Sequence, residues 1–248
     1  MKDLPIAARL YVWAVVAAGF LVLLVFHPHR FGDFPLFAAL LVFSSLASAL
    51  KVSLPLTKSG SSMSVSYAVD FAALLMLGAD ETMLVAGASA WSQCTFRMKT
   101  RNPLYRTLYS MASLVLTVKA AGMVYMWLGG TAPGTPFTVW SIPKPLVGAA
   151  MTYFVCNTAF IATAIALSTR QSLVIVWNDN FLWSAPSYFF GAGAAAVAAA
   201  VIDRGGYWMA LLTAAPVYLI YRTYKVYLGR VQDEQRHAQQ VSDRKSVV

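Results

Sequence analysis

Two ionisable side chains, Asp70 and Lys119, fall within stretches that are otherwise apolar. A lone charge at the centre of a bilayer costs about 2.5–3.5 kcal/mol on insertion scales, so such residues pair, face a wet cavity or contact a ligand. One reading is that Asp70 and Lys119 meet, or that one of them holds a ligand. The other is that Asp70 lies near a membrane surface while Lys119 snorkels, its stem in lipid and its ammonium in water. Asn157 stands alone on an apolar run. It is read either as an interhelical hydrogen bond or as part of a small-molecule site.

Other chemistry is sparse. His27 and His29 flank Pro28, with Asp33 the nearest carboxylate. Two imidazoles alone make a poor metal site, and the segment reads as a solvated loop. Cys94 and Cys156 lie in apolar surroundings without Cys-x-x-Cys or Cys/His spacing, as expected of small buried hydrophobes. There is no His-Glu-x-x-His, Gly-x-Ser-x-Gly, Walker A or dinucleotide-binding glycine pattern. An integral-membrane enzyme would need a paired acid and base or a metal cluster at credible depth, and none is legible. No catalytic residue, cofactor or metal site is expected, and the chain as given reads as a non-enzyme.

The elements that position these residues follow from where charge is missing. Hydrophobic residues make up 58% of the 248 residues and charged ones 12%, against about 25% charged in soluble domains. Residues 11–26, 34–50, 146–169 and 180–202 contain no formal charge. Runs of this length match a hydrocarbon layer about 30 Å thick crossed at about 1.5 Å per residue. The fold class expected is an all-α integral membrane protein with about eight apolar segments. They cover roughly 8–26, 34–50, 64–77, 82–96, 104–128, 146–168, 181–202 and 206–222. The third and fourth are short and joined by Gly78-Ala-Asp-Glu81, which fits a re-entrant pair buried among the others. The N-terminus reads as a retained first span, since no small-residue cleavage site follows it.

Charge also sets orientation. With the N-terminus cytoplasmic, only Arg30, Lys144 and Arg204 fall outside and Lys119 lies within a span. The other fifteen of the 19 basic residues fall inside, as the positive-inside rule requires. Both termini are therefore predicted to be cytoplasmic. The net charge of +9 is accounted for by basic helix ends facing anionic headgroups, so the expected partner is the lipid bilayer and not nucleic acid.

Two segments depart from the apolar pattern. In residues 51–67, Val52, Leu54 and Leu56 alternate with polar neighbours, and so do Met63, Val65 and Tyr67 beyond Lys58-Ser-Gly60. Period-two alternation about a glycine turn reads as a short hairpin or extended re-entry; an amphipathic cytoplasmic loop is the other reading. The span containing Gly191-Ala-Gly-Ala-Ala-Ala-Val-Ala-Ala-Ala is rich in small residues, which permit close helix approach in lipid. At the C-terminus, Tyr221, Tyr224, Leu228, Val231, Gln235 and Ala238 repeat at 3-4-3-4-3 spacing. That is a short heptad seam on a helix leaving the membrane. The chain divides into a membrane domain, 1–222, and a cytoplasmic helix and tail, 223–248. The seam residues Tyr224, Leu228, Val231, Gln235 and Ala238 predict a homodimer.

Three patterns together are similar to a known class. They are Gly60-Ser-Ser-Met-Ser-Val-Ser-Tyr-Ala before a short apolar span, Arg97-Met-Lys-Thr-Arg-Asn-Pro before a long one, and Pro216-Val-Tyr-Leu-Ile-Tyr-Arg-Thr-Tyr-Lys-Val-Tyr-Leu-Gly-Arg-Val. The chain resembles the N-terminal multi-pass sensor regions of bacterial HD-GYP and GGDEF proteins, which degrade or make cyclic di-GMP. The resemblance implies an inner-membrane input module whose exit helix relays a signal to an output domain. The sequences that would mark that domain are not found in these 248 residues, so no catalytic residue carries over. The architecture is also similar to vitamin-uptake substrate-binding subunits, which implies a small-molecule binding or transport role as the alternative.

Overall fold

A computed structural model of the chain describes residues 4–49, 51–53, 62–64, 66–96, 103–135 and 141–205. Eight α-helices are present among them: α1 (Ile6–Val25), α2 (Phe34–Ala49), α3 (Ser66–Leu77), α4 (Ala79–Thr95), α5 (Leu104–Trp127), α6 (Pro143–Thr169), α7 (Leu173–Asn180) and α8 (Ala185–Gly205). Strands β1 (Lys51–Ser53) and β2 (Ser62–Ser64) pair antiparallel, with Val52 opposite Met63. Of the alternating stretch 51–67, residues 51–53 and 62–64 pair as an antiparallel ladder, Tyr67 instead belongs to α3, and Leu54, Leu56 and Val65 lie outside the described residues.

Local chemistry sets the helix starts. Pro5 and Pro103 precede α1 and α5, and Pro143 opens α6, positions where a missing N–H costs nothing. Asp33 Oδ1 accepts the Leu36 N–H at 3.1 Å and caps α2. At the end of α6, Arg170 turns left-handed with φ 57°, and Gln171 N–H reaches the Ala166 carbonyl at 3.1 Å. Helices α3 and α4 are separated by Gly78 alone, with φ 86°. A Cβ there would come within 2.7 Å of the Pro133 ring, so glycine is required both by conformation and by space.

Four helices, α1, α5, α6 and α8, are long and apolar enough to span a membrane. The other expected spans that fall on described residues are the shorter helices α2, α3 and α4, so eight crossings are not shown. Segment 206–222 and the seam at 224–238 lie outside the described residues. Helix α7 falls between the expected apolar segments 146–168 and 181–202.

The short pair is the interior. Residues Val69 to Leu75 of α3 are all buried, and α4 buries Met83, Val85, Ala86 and Ala90. Helix α4 packs between α2 and α5, while α3 lies against α8. One core cluster runs through α3, α4, α5, α6 and α8, with Phe71, Met83, Val115, Tyr153, Tyr188 and Ala199 among its members. Smaller clusters join α2 to α3 and α4, and α1 to α5. The outward faces of the long helices stay apolar, with Leu10, Phe20, Met123, Val147 and Val197 all exposed, as a lipid solvent permits.

Candidate functional site

Asp70 lies on α3 at the centre of the bundle and is 1% exposed. Its Oδ2 accepts the Tyr153 hydroxyl of α6 at 2.8 Å, and its Oδ1 accepts the Ser44 hydroxyl of α2 at 3.2 Å. Both donors are neutral. A buried carboxyl is costly unless hydrogen-bonded, and these two hydroxyls satisfy one oxygen each. The apolar wall is supplied by Phe71, whose ring lies 5.0 Å from that of Tyr153.

From Tyr153 an aromatic series continues outward. Its ring is 5.9 Å from Tyr188 of α8, which in turn lies 4.8 Å from Tyr67 and 5.4 Å from Phe154. Trp177 of α7 follows, 6.0 Å from Phe154, and its indole N–H donates to Thr158 Oγ1 at 2.9 Å. Asn157 enters here: its Nδ2 donates to the Tyr188 hydroxyl at 2.9 Å. It is an interhelical hydrogen bond between α6 and α8, and it belongs to the same cluster as Asp70. Gly191 makes the arrangement possible, because a Cβ at that position would collide with the Tyr67 ring.

Lys119 is elsewhere. Its Nζ lies 2.7 Å from Asp80 Oδ1 and 3.7 Å from the centre of the Phe26 ring. Of the two readings, the one in which Asp70 and Lys119 meet is therefore set aside, and so is the placement of Asp70 near a membrane surface, since that carboxyl is 1% exposed. Asp80 opens α4, and its side chain is 49% exposed against 14% for Lys119, so an ion pair here keeps one partner in contact with solvent. The lysine stem runs along α5 to reach that end of the bundle. Beside it, Glu81 is buried and accepts the Gly32 N–H at 2.9 Å through Oε1. Two acids in the first turn of α4 also suit the positive end of the helix dipole.

Tyr153, Ser44 and Tyr188 are not singled out by sequence, and Tyr67 is read there only as part of the alternating stretch 51–67. The only signal available was a tyrosine and an Asn four residues apart on one apolar span, Tyr153 and Asn157, which places both on one helical face. His27 and His29 are exposed with rings 4.4 Å apart, and among the described residues no group of three or more metal-ligating side chains converges. Cys94 and Cys156 are half-buried and form no disulfide. Comparison with family models, with curated proteins and with solved structures yields no match.

Proposed function

We propose that this chain is a membrane-embedded input module of the bacterial inner membrane. Its interior network biases the exit helix, and the exit helix signals to a cyclic di-GMP type output domain. The observation that supports this most is the Asp70 cluster. One carboxyl and its hydroxyl partners draw together α2, α3 and α6, and Asn157 with Tyr188 extends the connection to α8. A closed polar network that ties several helices is an element with discrete arrangements, which is what a switch requires. Helix α8 leads directly into 206–222 and then into the heptad seam at Tyr224, Leu228, Val231, Gln235 and Ala238. Two copies joined in parallel through that seam would turn a shift of α8 into a rotation or displacement of the exit helices. Cytoplasmic termini, as the charge distribution predicts, put the seam on the side where cyclic di-GMP is made and degraded.

A small-molecule binding or uptake role would call for an open cavity at Asp70. That carboxyl is closed over by Ser44, Phe71 and Tyr153, which favours the sensory reading. The test is a chimera with a diguanylate cyclase domain fused after Val248. Asp70→Asn and Tyr153→Phe should each change cyclic di-GMP output by roughly five-fold or more, the low end of ordinary coupling free energies. Unchanged output from variants present in the membrane at normal levels would contradict the proposal.

A further inference from the structure

Between α6 and α8, two of the helices long and apolar enough to cross a membrane, runs an apolar groove of about 720 Å³. Val147 and Ala150 line it from α6, and Gly193, Ala196 and Val197 from α8. Val147 and Val197 are 55% and 63% exposed, whereas Ala150 is 1% exposed, so the groove has a closed floor and an open side. A Cβ added at Gly193 would meet nothing within 4 Å, so the glycine faces open space. One end of the groove carries charge. Arg204 lines it there together with Pro143, and the next residue, Lys144, is exposed. We propose that the groove binds an anionic phospholipid, with one acyl chain along the apolar floor and the phosphate between Arg204 and Lys144.

Three features favour that occupant. The first is depth. From Gly193 to Arg204 the groove runs about 16 Å at about 1.5 Å per helical residue, close to one leaflet of a hydrocarbon core about 30 Å thick. A chain lying in it would bring its headgroup to the basic end. The second is free charge. Neither Arg204 nor Lys144 forms an ion pair among the described residues, and Asp203, exposed beside Arg204, does not line the groove. A guanidinium can give two parallel N–H bonds to a phosphate, with a lysine adding a point charge. The third is where these charges stand. In the orientation predicted from charge, Arg30, Lys144 and Arg204 are the basic residues of the outer side. The positive-inside rule keeps such residues few on that side, yet two of the three meet at this one groove. An anionic headgroup accounts for that concentration.

This site does not rest on the sensory reading. It requires only that α6 and α8 face lipid.

The experiment places the full chain in phosphatidylcholine nanodiscs with a trace of diazirine-acyl phosphatidylglycerol, or of phosphatidylcholine bearing the same acyl chain. After irradiation, adducts are located by mass spectrometry. Phosphatidylglycerol should label segments 146–150 and 192–201 at least about five-fold more than phosphatidylcholine does, the factor expected from about one basic residue near an anionic headgroup. Phe20 and Leu21, exposed on α1, should be labelled alike by both lipids and serve as the reference. Lys144→Gln combined with Arg204→Gln should abolish the preference and leave labelling by phosphatidylcholine unchanged. Gly193→Leu, which fills the groove from a position with room for a side chain, should lower groove labelling by both lipids and spare α1. Equal labelling of the groove by the two lipids in the unaltered protein would mean an ordinary lipid-facing surface and overturn the proposal. So would a preference that survives loss of both charges. A groove left unlabelled while α1 is labelled would assign it to protein, from this chain or a second copy, and also overturn it.

Discussion

Two acids at opposite ends of the solvation scale, one at the centre of the bundle and one at its rim, are handled in opposite ways. Asp70 is held by neutral hydroxyls at the middle of the bundle, whereas Asp80 meets a lysine at its rim. The difference follows from solvation. An ion pair with one half-exposed partner keeps much of its hydration, gains little from Coulomb attraction and is screened by salt. A carboxyl with no water depends wholly on its donors, and losing one strands it. Asp70 is therefore the residue whose surroundings must be conserved in geometry for the bundle to hold together, and Asp80 is a local fastening between α4 and α5.

Removing the ring that covers Asp70 should have the largest effect. Tyr153→Ala should cost about 3–5 kcal/mol, since it opens a cavity and removes a donor together. Tyr153→Phe should cost about 1–3 kcal/mol through the lost hydrogen bond alone. Thermal unfolding in detergent, followed by tryptophan fluorescence, reads both. Equal losses for the two would mean that packing is unimportant there, against the aromatic series described above.

Double-mutant cycles sharpen the contrast. Asp70→Asn combined with Tyr153→Phe should depart from additivity by about 0.5–3 kcal/mol. Asp70→Asn combined with Lys119→Met should add within about 0.3–0.5 kcal/mol, as expected of residues without shared partners. Strong coupling between Asp70 and Lys119 would restore the pairing that the structure replaces.

The rim should be the least sensitive. Asp80→Asn and Lys119→Met should each cost about 1 kcal/mol or less, and the cost should shrink further in high salt. A loss of several kcal/mol from Asp80→Asn would show that this pair is far better shielded than its exposure implies. Orientation is checked separately. A reporter active only in the periplasm should be silent when fused after Val248 and active after Gly130, and the reverse would invert the topology.

The long helices were legible because uninterrupted apolar runs admit few other interpretations. The pairing of 51–53 with 62–64 is legible as period-two alternation, and the close turn at Gly78 from the gap between two short runs. Asp70 stood out as a charge among apolar neighbours. Its partners did not, because Ser44 and Tyr153 lie 26 and 83 residues away and hydroxyls are common on membrane helices. The partner of Lys119 is hidden for a related reason: Asp80 sits in the short joint between two apolar runs, where nothing in the sequence shows that it opens α4 and faces α5. Helix α7 escaped because Leu173 to Asn180 is short, mixed in polarity and held by packing, with Val176 buried against Ala162 and Ala166.

The central claim is that the Asp70 network and the exit helix are coupled. The most direct measurement is the rate of inter-subunit disulfide formation by Leu228→Cys in native membranes, with Cys94 and Cys156 removed, compared between the otherwise unaltered chain and Asp70→Asn. Coupling predicts that the substitution changes that rate by roughly five-fold or more. The matched rim change Lys119→Met should leave it nearly unaltered. Equal rates in all three proteins, at equal membrane abundance, would contradict the account.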